Sequence, residues 1–150
     1  MPKFTTTLRR RQLDRQLSKY KNMPKFKVGY IREIRDALGM SGTQLAKRLG
    51  ISQAGVISTE RSEAEQTISL KTLARAAEAL NCELVYALVP KTSLEQTILD
   101  QAQQKVTAEA ESIFRSMALE MQSTDKEERD RLVDELVDEL IKQGGRQLWK

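Results

Sequence analysis

"MSGTQLAKRLGISQAGVISTER", Met40 to Arg61, reads as two short helices broken at Gly50. Ser41 stands three residues before Gln44, the pattern of a capping box at a helix start. Ser52 gives a second start after the break, and the new helix opens Gln53-Ala54-Gly55. Two of those side chains are almost nothing, although glycine inside a helix costs up to about 1 kcal/mol relative to alanine. Two readings fit. Small residues on a first turn let the backbone and Gln53 approach base edges in a major groove about 12 Å wide. They equally let the helix pack closely on a neighbour.

The spacing around the break narrows the fold. A tight crossing of two helices needs a small residue where the second helix packs. It needs a glycine at the turn and a β-branched residue pointing back into the core. Ala46, Gly50 and Val56 meet these needs at offsets 0, +4 and +10, and Leu45, Leu49 and Ile51 supply the remaining core. On the N-terminal side a helix is predicted from Gly29 to Leu38, with Ile31, Ile34 and Leu38 inward and Gly39 as its stop. On the C-terminal side Ser69 caps a helix carrying Leu70, Leu73, Ala77 and Leu80, ended by Asn81. "CELVYALVP" then has the β-branched and aromatic content of a strand, stopped by Pro90. It is the one strand expected, with Cys82 at its start as a small buried apolar residue.

The flanks are helical. "TTTLRRRQLDRQLSKY" predicts a short helix, and "KNMPKFK" a linker. Leu94, Ile98, Ala102, Val106, Ala110, Ile113, Met117 and Met121 recur at three or four residues and predict one long helix. Ser123 or Thr124 would cap the last helix. Its Leu132, Val133, Leu136, Val137, Leu140 and Ile141 form a stripe wide enough for two neighbours, so a hairpin with the long helix leaves apolar surface for a second chain. Gly144-Gly145 end that helix and "RQLWK" trails, with Trp149 either anchoring an interface or capping the hairpin. The expected fold is mainly α: a helix-turn-helix bundle with one short strand and a C-terminal helical hairpin. The expected division is a basic arm over 1–27, a helix-turn-helix domain over 28–90, and a dimerisation or interaction region over 91–150.

Charge is uneven along the 150 residues. The net is +4, but residues 1–27 hold nine Lys and Arg against Asp14 alone, while residues 91–150 hold nine basic against thirteen acidic. A basic arm ahead of a neutral module suits a polyanion, with Arg9, Arg10, Arg11 and Arg15 as phosphate contacts. The alternatives are a solubilising tail, or a segment docked on the body by Leu8, Leu13 and Leu17. There is one cysteine and no histidine. That removes an internal disulfide, imidazole zinc sites and Ser-His-Asp chemistry, and fits a reducing cytoplasm. No phosphate loop or CxxC is found, so no enzyme activity, cofactor or metal is expected. The acidic run "TDKEERDRLVDELVDEL" reads as a solvated helix face rather than a metal or acid–base site. No apolar run approaches the roughly 18 residues of a membrane span.

"REIRDALGMSGTQLAKRLGISQAGVISTER…SLKTLARAAEAL" resembles the Xre/Cro-type helix-turn-helix of phage repressors and many antitoxins. Together with "QLDRQL", "SLEQ", "MALE" and the terminal "QLW", the chain resembles the mobile mystery protein A family from end to end. The resemblance implies a repressor that binds double-stranded DNA with two half-sites as a homodimer. It also implies a gene beside that of a Fic-domain protein, in a toxin–antitoxin arrangement. It implies that Gln53, Ala54, Gly55, Ser58 and Thr59 face bases, that Ser41, Gly42 and Thr43 meet phosphate, and that Arg35 and Glu60 form an internal ion pair. Gly42 departs from the glutamine common there and keeps only its backbone N–H. The alternative function is an antitoxin whose C-terminal helices inhibit the Fic partner directly. Known Fic inhibition uses a glutamate followed by Gly or Asn, and no glutamate here is so followed.

Overall fold

A computed structural model describes residues 3–119 and 125–150. The described chain forms two compact units, one from Asn22 to Ala87 and one joining the segment up to Lys21 with the chain from Leu88 onward.

The first unit holds four helices, α2 (Tyr30–Ala37), α3 (Gly42–Leu49), α4 (Gln53–Ala64) and α5 (Leu70–Ala79), which follow α1 (Lys3–Leu17) of the other unit in chain order. Their core is Ile31, Leu45, Ala46, Val56, Ala76 and Leu80. Leu45 and Val56 are fully buried side chains, each contributing about 1.5–3 kcal/mol. The starts are those the sequence marks. Ser41 and Gln44 make the reciprocal capping box, Ser52 Oγ accepts from Gly55 N–H at 3.0 Å, and Ser69 Oγ accepts from Thr72 N–H at 3.1 Å.

The ends share one device. After α3 the N–H of Ile51 reaches Ala46 O at 3.0 Å around Gly50, whose φ is 67°. Gly39, Gln66 and Asn81, at φ 65°, 60° and 56°, close α2, α4 and α5 in the same way. Such a closure feeds orphan carbonyls of the last turn. Two expected core positions are corrected. Leu38 is 57% exposed and Ile51 38%, because each sits beside its turn glycine, where the chain swings outward.

The expected strand is absent among the described residues. Residues 82–90 take no regular structure, and from 83 to 90 no backbone group pairs with the backbone of another described residue. A strand needs a neighbour for its ladder, and this domain offers none. Cys82 is exposed rather than buried for the same reason.

The second unit contains α1, a 3-10 turn at Ser18–Tyr20, α6 (Leu94–Leu119), α7 (Lys126–Gln143) and α8 (Gly145–Leu148). Ala102, Val106, Val137 and Leu148 form its core, with Ile98, Val133, Leu140 and Ile141 against it. The α6–α7 hairpin is therefore present. Asp125 opens α7; the caps expected at Ser123 and Thr124, and Met121, lie outside the described residues. The tail does not trail. It turns into α8 and buries Leu148, held by Gln101 Nε2 to Leu148 O at 3.2 Å and by a bond from Lys105 Nζ to Gln147 O.

α1 is tied to the start of α6. The carboxylate of Asp14 accepts from the N–H groups of Leu94 and Glu95 at 2.7 and 3.3 Å. It thus satisfies donors that a helix start leaves free.

Candidate nucleic-acid interface

The outward face of α4 carries Gln53, Ala54, Ile57, Ser58 and Arg61, all exposed at helical spacing. Gly55 and Thr59 are half-buried at its edge. A Cβ on Gly55 would lie 3.3 Å from both Ile51 Cδ1 and Ser52 Oγ. Its smallness is thus set by the turn beneath it, whereas Ala54 is small on the open face. The Thr59 hydroxyl donates to Gly55 O at 2.7 Å. Ile57, 60% exposed, was not singled out in the sequence reading. The available signal was its place one residue after inward Val56 and four after Gln53.

The start of α3 lies beside this face, since a Cβ on Gly42 would stand 3.9 Å from Gln53 Cγ. Thr43 is exposed there, and Ser41 Oγ is occupied by Gln44 N–H at 3.2 Å. Lys27, Arg32 and Arg61 rim an open cleft of about 560 Å³ that Gln53 and Ile57 also line. These cations were missed because Lys27 lies in the linker and Arg32 on another helix, and only folding brings them to Gln53. Arg61 is exposed and paired with Glu65 at 2.8 Å; that hydrogen bond raises its pKa above the ordinary arginine value.

Behind the face, α4 is fastened to α2 by two carboxylates. Glu60, 8% exposed, accepts from Arg35 Nε at 2.6 Å and Nη2 at 3.4 Å. Arg35 also donates to Met40 O at 2.9 Å and pairs with Asp36 at 2.8 Å. The bond to Glu60 raises the Arg35 pKa, against the opposing effect of burial. One turn further, Glu63 receives the N–H groups of Tyr30 and Ile31, both at 2.9 Å, and caps α2 from outside. Gly29 precedes that helix at φ 84°, and a Cβ there would meet Glu63 Oε2 at 2.6 Å.

In the second unit Arg9, Arg11 and Arg15 are exposed on α1. Arg10 differs: its Nη2 donates to Thr7 Oγ1 at 3.3 Å, and its Nε lies 3.8 Å from the Glu95 carboxylate. On α7, Val133, Val137, Leu140 and Ile141 pack into the hairpin, while Leu132 and Leu136 stay 42% and 44% exposed. Leu136 shares a cleft with Ile113 of α6. Trp149 is 57% exposed.

Among the described residues no helix is long and apolar enough to cross a membrane. No curated protein and no solved structure matches the chain. Residues 31–86 match the profile of the helix-turn-helix family HTH_3. The match spans α2 to α5 and the segment after them, which includes the whole exposed face described above. Residues 31–86 are therefore an Xre-like helix-turn-helix domain, a DNA-binding regulatory module.

Proposed function

We propose that this protein is a sequence-specific repressor acting in the cytoplasm, the antitoxin-like autoregulator of an operon shared with a Fic-domain protein. The observation that carries the DNA reading is the exposed face of α4, where Gln53 and Ile57 stand inside a rim of Lys27, Arg32 and Arg61. α4 enters the major groove. Gln53 reads an adenine edge through its amide, Ile57 meets a thymine methyl, and the rim cations meet phosphate. Ala54 and Ser58 lie against the same bases, with Gly55 and Thr59 bordering them. Ser41, Gly42 and Thr43 present the start of α3 to a phosphate, which a helix N-terminus favours. The protein binds as a two-fold dimer, because paired half-sites lie about 34–36 Å apart, too far for one module.

A second reading concerns protein partners. Leu132, Leu136 and Ile113 leave an apolar strip on the α6–α7 hairpin, which suits a second protein chain, the Fic-domain neighbour or another copy. Both readings hold together.

Footprinting on the DNA upstream of the protein's own gene tests the repressor reading, with and without the neighbouring protein. We expect two protected half-sites on the same face of the duplex. Gln53→Ala should remove operator preference, at about 1–3 kcal/mol per bidentate contact, while leaving binding to random DNA in place. Equal loss on both DNAs would show that Gln53 does not read bases.

A further inference from the structure

"KNMPKFK", expected as a linker, begins inside the same compact unit as α4 from Asn22 onward, and its end is a braced turn. The N–H of Gly29 donates to Phe26 O at 3.2 Å, which closes a turn with Lys27 and Val28 at its tip. Gly29 takes φ 84° with the Glu63 carboxylate against it, a place that only glycine fills. Tyr30 braces the turn from the other side. Its ring meets Phe26 edge-on, with centroids 4.9 Å apart and planes at 88°. Its hydroxyl donates to the Pro24 carbonyl, and its N–H donates to Glu63 Oε1 at 2.9 Å.

The tip of the turn lies beside the reading helix. Lys27 and Val28 line the same cleft as Gln53 and Ile57. Three exposed cations rim that cleft, and two of them are engaged: Arg32 lies 3.8 Å from Asp36, and Arg61 lies 2.8 Å from Glu65. Lys27 makes no ion pair or hydrogen bond with any described residue. A free ammonium held at a fixed place beside base-reading side chains suits a backbone phosphate. We propose that the Phe26–Gly29 turn is a preformed phosphate contact, which presents Lys27 to the DNA backbone flanking the bases under Gln53, and that Tyr30 is its positioning residue.

The gain is one of order. A lysine on a loose linker must have its backbone fixed when it binds, which lowers affinity by about fivefold or more for each residue ordered. The braced turn meets the phosphate already in place, as preorganisation requires. The inference rests on the DNA-binding reading, and its tests separate the two.

The full chain is titrated, at several salt concentrations, with a duplex from upstream of its own gene and with a random duplex. Lys27→Gln should weaken both by similar factors and make the slope of log K against log salt shallower by roughly 0.9. Tyr30→Ala releases the turn but keeps every charge. It should weaken both duplexes by about fivefold or more at a nearly unchanged slope. It should also speed hydrogen exchange at the Gly29 amide, whose bond closes the turn, with little change in the thermal melt because Tyr30 and Phe26 are exposed. Tyr30→Phe keeps the edge contact and loses only the hydroxyl bond, so it should restore part of the affinity. In a Lys27→Gln background Tyr30→Ala should weaken binding no further, since the two act on one contact. An unchanged slope in Lys27→Gln overturns the phosphate contact. An equal loss from Tyr30→Ala with lysine or glutamine at position 27 overturns the positioning role, because Tyr30 would then act through the fold alone. A wild-type chain that binds neither duplex overturns the DNA-binding reading and this inference together, whereas a chain that binds both and is indifferent to Lys27→Gln overturns this inference alone.

Discussion

Arg35 makes four polar contacts with three partners. Its guanidinium holds Glu60 of α4, Asp36 of its own helix and the Met40 carbonyl in the turn before α3. Removing Arg35 strands the Glu60 carboxylate in a site where the two side chains are only 13% and 10% exposed, whereas removing Glu60 leaves Arg35 its Asp36 and Met40 partners. Breaking a buried pair in this way costs about 3 kcal/mol or more, whereas replacing both members with apolar residues is often near neutral. We expect Arg35→Met to lower the melting temperature sharply and Glu60→Leu to lower it less, with the double variant recovering a large part of the Arg35→Met loss. Additive losses in that cycle would mean that the two residues act separately. Ile57 provides the opposite case. At 60% exposure it contributes little to the core, so Ile57→Ser should change stability by no more than about 0.5 kcal/mol. It should nevertheless weaken operator binding, most where thymine stands opposite it. An operator affinity indifferent to Ile57→Ser would remove this side chain from the reading face.

At the scale of elements, helix ends were more legible than the segments between them. Ser41, Ser52 and Ser69 announced three starts, and Gly39, Gly50 and Asn81 announced three stops, because those residue types are chosen by local backbone chemistry. The fourth stop, Gln66, carries no such signature and sits at φ 60° all the same. The contacts around it require a left-handed residue whatever the side chain, so a non-glycine residue bears a cost of roughly 1–2 kcal/mol. Gln66→Gly should therefore raise stability by about 0.5–1 kcal/mol, with part of the gain offset by unfolded-state entropy. That amounts to several degrees in the melting temperature of the domain, and a fall would show that Gln66 earns its place by another contact. The strand failed as an expectation for a different reason. Composition reports a segment fit for a ladder but does not report whether a neighbour exists. α8 was hidden because four residues are too short for a periodicity, and only Leu148 records its burial.

At the scale of the whole chain, the N-terminal segment has two roles to separate, and the structure supplies a handle for each. One is docking. Asp14, the lone acidic residue among the first 27, caps α6 through Leu94 and Glu95, and Arg10 lies against Glu95. The other is charge, carried by Arg9, Arg11 and Arg15, which remain exposed. Removing residues 1–20 should therefore lower the melting temperature and also make the salt dependence of DNA binding shallower, by roughly 0.9 per lost phosphate contact. Two finer variants split these effects. Asp14→Ala removes only the bonds to the Leu94 and Glu95 N–H groups and leaves the Ser93 hydroxyl on Gln96 N–H, so it should cost about 0.5–2 kcal/mol and leave the slope of log K against log salt unchanged. Replacing Arg9, Arg11 and Arg15 together with glutamine should leave the melt nearly unchanged and flatten the slope. It should weaken operator and random DNA by similar factors, because phosphate contacts carry no sequence information directly. Titrations at several salt concentrations, beside thermal melts of the same proteins, read both quantities. If the triple substitution leaves the slope unchanged, the arginines are a solvated face and the segment serves only to hold α6. If it weakens the operator alone, the arm reaches bases, and the division of labour between α1 and α4 argued here is wrong.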